Sequence, residues 1–110
     1  MRRILALCLA LLAAPAGAQQ SVFSYQNITT DATTVVKSGS GTLHAVCINT
    51  PAATGTITIY DNTAASGTKI GTITSYASAT PGCWTYDVQF WTGLTIVTAV
   101  AAPDVTVSWR

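Results

Sequence analysis

Glutamate is missing from the 110 residues, histidine and methionine each occur once, and charged residues make up only 8% of the chain. So little charge leaves no basic stripe for a phosphate backbone and no polybasic patch for anionic lipid. Nucleic-acid binding and attachment of the folded part to a membrane surface are therefore disfavoured. Helical periodicity is absent beyond residue 18, which argues against an α or α/β body. Nothing resembles a nucleophile elbow or a metal-binding box. The composition thus points away from an enzyme, and no metal or cofactor is expected.

What the sequence does contain begins with an export signal. Arg2 and Arg3 form a basic start, residues 4–14 an apolar run, and Ala16-Gly17-Ala18 a small-residue cleavage site. The run is too short to span a bilayer, which takes about 20 apolar residues. Residues 1–18 are read as a signal peptide, and the mature chain would begin at Gln19. Cys8 lies in the apolar run and leaves with it; Leu7 before it is a poor fit to a lipoprotein site. The mature chain keeps Lys37, Lys69 and Arg110 against Asp31, Asp61, Asp87 and Asp104, a net charge of −1. A periplasmic or secreted location is expected.

Two cysteines survive cleavage, Cys47 and Cys83. In an oxidising compartment an even pair most simply forms a disulfide. It would enclose 35 residues, worth roughly 3–4 kcal/mol in the chain-entropy model. With His44 alone beside them, the cysteines fall short of the four ligands of a structural zinc site.

The organising stretch is 54–73. Residues 56–60 and 69–75 read as strands closed by the polar loop 61–67, with Ile57 and Ile59 alternating with threonines. Asp61 and Asn62 are expected to bond their own loop backbone, and Gly67 to supply a positive φ. A lone hairpin is marginal in water, so other strands must pack on its isoleucine face. Residues 32–36, 42–49, 83–90, 94–99 and 103–109 supply them, broken at the Lys37–Gly41, Pro51, Pro81-Gly82 and Trp91-Thr92-Gly93 turns. Strand 42–49 is apolar on both faces, with Leu43, Ala45 and Cys47 on one side and His44, Val46 and Ile48 on the other, and is expected to be central. Trp84, Tyr86, Val88 and Phe90 share a face and are expected to deliver most of the aromatic area of the core. Val105, Val107 and Trp109 alternate in the last strand. About seven strands spaced by about ten residues predict an all-β antiparallel sandwich, with an open barrel or jelly roll as the runner-up. Residues 19–31 are either a leader or an extra edge strand, and 32–110 form the domain.

Several of these pieces resemble a known family. Tyr60-Asp61-Asn62-Thr63-Ala64 with Ser66-Gly67-Thr68-Lys69, then Tyr86-Asp87-Val88, then Thr92-Gly93-Leu94, are similar to small β-sandwich proteins of tailed bacteriophages and their prophages. The resemblance covers about residues 32–110. It implies a virion-associated accessory structural protein of the head-decoration or tail-associated sort, with no catalytic residues to carry over. These are turn and strand residues, which identify a fold better than an activity. The signal peptide and the cysteine pair set this chain apart from that family.

Few side chains invite a functional reading. His44 is a strand histidine without a neighbouring partner in sequence, expected to face solvent or a polar seam. Asp31, Asp61 and Asp104 read as turn formers. Four unclustered aspartates are a weak signal for glycoside hydrolysis, and the Asp61-Asn62 loop lacks calcium-loop spacing. Asn27-Ile28-Thr29 is a formal glycosylation sequon. Trp91 breaks the alternation ahead of a turn, and is expected as an aromatic packed under a loop. Its functional alternative is contact with a partner subunit or a sugar. The same two readings apply to Phe23 and Tyr25. Open strand edges with little charge favour self-association or docking to another structural protein, and a glycan is the alternative partner.

Overall fold

Threonine–aliphatic alternation builds strands because β-branched side chains suit a pleated surface with one buried face. The computed structural model of the protein describes residues 22–50, 55–75, 81–100 and 102–110. Eight strands lie among them: β1 (Ser24–Ile28), β2 (Thr33–Ser38), β3 (Gly41–Ile48), β4 (Gly55–Asp61), β5 (Thr68–Ser75), β6 (Gly82–Phe90), β7 (Gly93–Val100) and β8 (Val105–Trp109). No described residue is helical. The signal segment 1–18, Pro51 and loop residues 78–80 lie outside the described residues. The eighth strand is β1, which settles the choice between leader and edge strand at Ser24–Ile28: it pairs antiparallel with β8.

Two four-stranded antiparallel sheets form a sandwich, in the orders β1-β8-β3-β6 and β2-β7-β4-β5. The pairs β1·β8, β2·β7, β3·β6 and β4·β5 are those of one long hairpin laid double. Contacts β3·β8 and β4·β7 appear when that hairpin is rolled up. This is the jelly-roll connectivity. It places β1 and β6 at the edges of one sheet, and β2 and β5 at the edges of the other.

The core lies between the sheets. Ile57 and Ile59 of β4, Leu94, Ile96 and Val100 of β7, and Val105 and Val107 of β8 are buried there with Phe90. The hairpin β4–β5 forms as its alternation requires, with Gly67 at φ +87°. Thr98 points inward among these apolar groups and is 1% exposed. Its hydroxyl donates to the Thr30 carbonyl at 2.7 Å, and the Ala32 N–H donates to it at 3.2 Å. Buried polar atoms need such partners, and these fix the β1–β2 connection.

The face assignment of β3 differs from simple alternation. Leu43 pairs with Trp109 and Ala45 with Ser108, so His44 is an extra residue against β8. Across β6, the same His44 stands opposite both Tyr86 and Asp87, and Asp87 takes φ +49°. This bulge changes parity in mid-strand. Leu43, Val46 and Ile48 therefore face the core together, while His44, Ala45 and Cys47 do not join it.

The expectation for β6 is corrected by its position. Trp84, Val88 and Phe90 stand opposite Val46, Leu43 and Gly41, and Tyr86 lies over Gly71 of β5, so the four do share the inner side. Only Phe90 is fully buried; Trp84 and Val88 are each 38% exposed. An edge strand has no neighbour beyond it to cover such side chains. The aromatic contribution to the core is mainly Phe90, with Tyr86 half-buried. Burial raises the Tyr86 phenol pKa above its ordinary 10.0.

Candidate functional site

Antiparallel pairing brings the β2–β3, β4–β5 and β6–β7 connections to one end of the sandwich. The central group there is Asp61, the last residue of β4. Its carboxylate does not bond its own loop, as a turn former would. It accepts the Trp91 N–H at 2.9 Å, the Thr92 N–H at 2.8 Å and the Gly93 N–H at 3.4 Å. Partial burial alone would raise the Asp61 pKa, but the N–H groups of Thr92, Trp91 and Gly93 outweigh it and hold the carboxyl below the ordinary 3.8.

The loop itself closes as the Asn62 side chain predicts. Asn62 Nδ2 donates to the Ser66 carbonyl at 2.8 Å, and its Oδ1 accepts the Thr63 N–H at 2.8 Å. The loop folds back over the start of β7. Thr95 Oγ1 donates to the Asn62 carbonyl at 2.7 Å, and a Cβ on Gly93 would come within 2.7 Å of the Thr63 methyl. The Gly39 N–H donates to the Thr92 carbonyl at 2.9 Å and ties in the β2–β3 turn. Trp91 stands on this braced turn with 69% of its surface exposed. It is not packed under a loop: the loop that covers the neighbouring positions is spent on Gly93 and Thr95.

A second constellation crosses the outer face of the β1-β8-β3-β6 sheet. His44 Nδ1 lies 2.6 Å from Asp87 Oδ1, and the carboxylate can only accept, which places a proton on Nδ1. The His44 ring stacks on Phe23 at 4.2 Å between centroids, and the Arg110 guanidinium lies over Phe23 at 4.9 Å. Phe23 is thus occupied by intramolecular partners. Tyr25, one pleat further along, is 73% exposed and stands opposite Ser108. Cys47 and Cys83 face each other across β3 and β6 on this same outer side and are bonded as expected. The bridge is compatible with an oxidising, extracellular compartment.

At the opposite end, Asp104 gathers the ends of three strands. Asn27 Nδ2 donates to its Oδ1 at 2.9 Å, Asn49 Nδ2 at 3.1 Å, and Thr50 Oγ1 to its Oδ2 at 3.3 Å. The amides of Asn27 and Asn49, against slight desolvation and with the Thr50 hydroxyl, keep the Asp104 pKa below 3.8. A shallow recess beside it is lined by Ile48, Ile57, Val100 and Pro103. The sequon asparagine is therefore a strand-end clip.

Of the three candidate contact residues, Trp91 and Tyr25 present their rings to solvent on different elements, and Phe23 does not stand free. The residues missed in the sequence are Asp61 as a brace and Asp87 as the partner of His44. They are 30 and 43 positions from the groups they bind, so no local pattern could signal them. Among the described residues no cluster of three histidine, cysteine or acidic side chains is placed to hold a metal ion. Comparison with family models, with curated proteins and with solved structures finds no match for the chain.

Proposed function

We propose that this protein is an exported, non-enzymatic module that acts through surface contact, with Trp91 as the anchor. The observation that carries this reading is an indole 69% exposed on a turn whose three consecutive backbone N–H groups are held by one carboxylate. An exposed aromatic whose backbone is already ordered loses little further entropy on binding, the property of an interface hot spot. The export signal and the bridge support a periplasmic or secreted site of action. A role as a virion accessory protein rests on the resemblance in the turn and strand residues. Jelly rolls recur in capsid and in lectin domains alike, an analogy of fold that does not choose between them. The exposed Tyr25 and Trp91 favour, as the second reading, a binding module for a glycan or protein.

The test compares the wild-type mature chain with Trp91→Ala by light scattering at rising concentration and on an array of neutral glycans. A defined oligomer or a glycan signal is expected for the wild type, and a loss of at least about tenfold in the variant at unchanged fold. A wild type that stays monomeric and binds no glycan, or a variant that matches it, contradicts the reading.

A further inference from the structure

The β6 edge strand is held unevenly. Beyond the bulge at Tyr86 and Asp87, residues 82–85 contribute no fully buried side chain: Gly82 is half-buried, Cys83 and Thr85 are exposed, and Trp84 on the inner side is 38% exposed. The other half carries Phe90, which is wholly buried. What attaches residues 82–85 to the sandwich is the ladder to residues 45–48, the partly covered Trp84 and the Cys47–Cys83 bridge. Cys83 is the exposed partner and Cys47 the half-buried one, so an incoming thiolate has access to the Cys83 sulfur.

We propose that the Cys47–Cys83 bridge is a redox-operated latch on this corner, opened by an external dithiol. A thiolate of the dithiol attacks Cys83 Sγ and Cys47 leaves as a thiolate. The second thiol of the reagent then displaces Cys83, so the dithiol is oxidised to its disulfide as both cysteines are reduced. Opening frees residues 82–85 from β3 and leaves the backbone groups of 45–48 unpaired along one side. Most of the core lies away from this corner: Phe90, Leu94, Ile96, Ile57 and Ile59 are on the other side of the bulge or on the opposite sheet. Val46 and Ile48, which do stand opposite it, remain paired to Val107 and Val105 of β8 on their other side.

Hydrogen exchange of the oxidised mature chain, before and after treatment with dithiothreitol, tests this. After reduction the amides of 82–85 should exchange at least about a hundredfold faster relative to those of β7, the behaviour of a local opening. The Cys47→Ala/Cys83→Ala double variant should show the same pattern without the dithiol. Corner amides that stay as protected as β7 in the reduced protein would overturn the latch. Protection lost together from every strand, or an unfolded double variant, would overturn it as well.

Discussion

Asp61 and Thr98 show how single polar groups position the connections of this fold. Asp61 accepts three N–H groups from the turn that carries Trp91, so Asp61→Asn removes the charge from all three bonds at nearly constant volume. Hydrogen bonds to a charged group contribute about 1.5–3 kcal/mol; because water reaches this carboxylate, a loss of about 1–2 kcal/mol is expected in urea denaturation at pH 7. The pH dependence has a definite sign. A carboxyl whose pKa is lower in the folded state stabilises the fold above its unfolded value, near 3.8, and ceases to do so as pH falls through the folded value. The gap between wild type and Asp61→Asn should therefore close as pH drops below that point. A gap that persists in acid would assign the loss to shape and not to charge.

Thr98 offers the complementary case, a neutral hydroxyl in the core. Thr98→Val keeps the shape but strands the Ala32 N–H and deprives the Thr30 carbonyl of its donor. Leaving a buried group unsatisfied costs about 1–3 kcal/mol, and chemical denaturation should report a loss in that range. An unchanged midpoint would show that the β1–β2 connection finds other partners.

At the scale of elements, edge and centre decide what a residue is worth. Phe90 and Trp84 lie on the inner side of the same strand, yet one is wholly buried and the other 38% exposed. Phe90→Ala should cost about 3–5 kcal/mol, as core aromatic truncations do. Trp84→Ala, which removes a side chain only partly covered, should cost less, about 1–2 kcal/mol. Equal losses would mean that β6 is not an edge strand in solution. This contrast also marks the limit of legibility. Period-two alternation identified the inner side of β4, β6 and β8, because pleating is a local property of the backbone. It carries no information on whether another strand lies beyond, so β6 reads in sequence like a central strand. The apolar run of β3 was legible as central, but its parity was not. The extra residue at His44 is visible only once β6 and β8 are laid against it. For the same reason His44 looked unpartnered until Asp87 was brought across the bulge. The bridge, by contrast, follows from parity and compartment alone, whereas the five residues of β1, mixed in polarity, carry too little pattern to distinguish a strand from a leader.

Over the whole molecule, one rolled hairpin sets the chain's side-chain clusters at separate places. The braced Trp91 turn occupies one end, the Asp104 clip the other, and the bridge and the His44–Asp87 pair lie on the outer face of one sheet. Few charges and four sheet edges among the described residues give little protection against strand pairing. The proposed export with the bridge formed is the claim on which this account of the fold and its contacts rests. Intact mass spectrometry of the protein recovered from the periplasm or medium of expressing cells, alkylated after denaturation without reductant, tests this directly. A chain starting at Gln19 with neither Cys47 nor Cys83 alkylated is the expected result. A chain retained inside the cell with its first 18 residues and all three cysteines, Cys8 included, alkylated would contradict it.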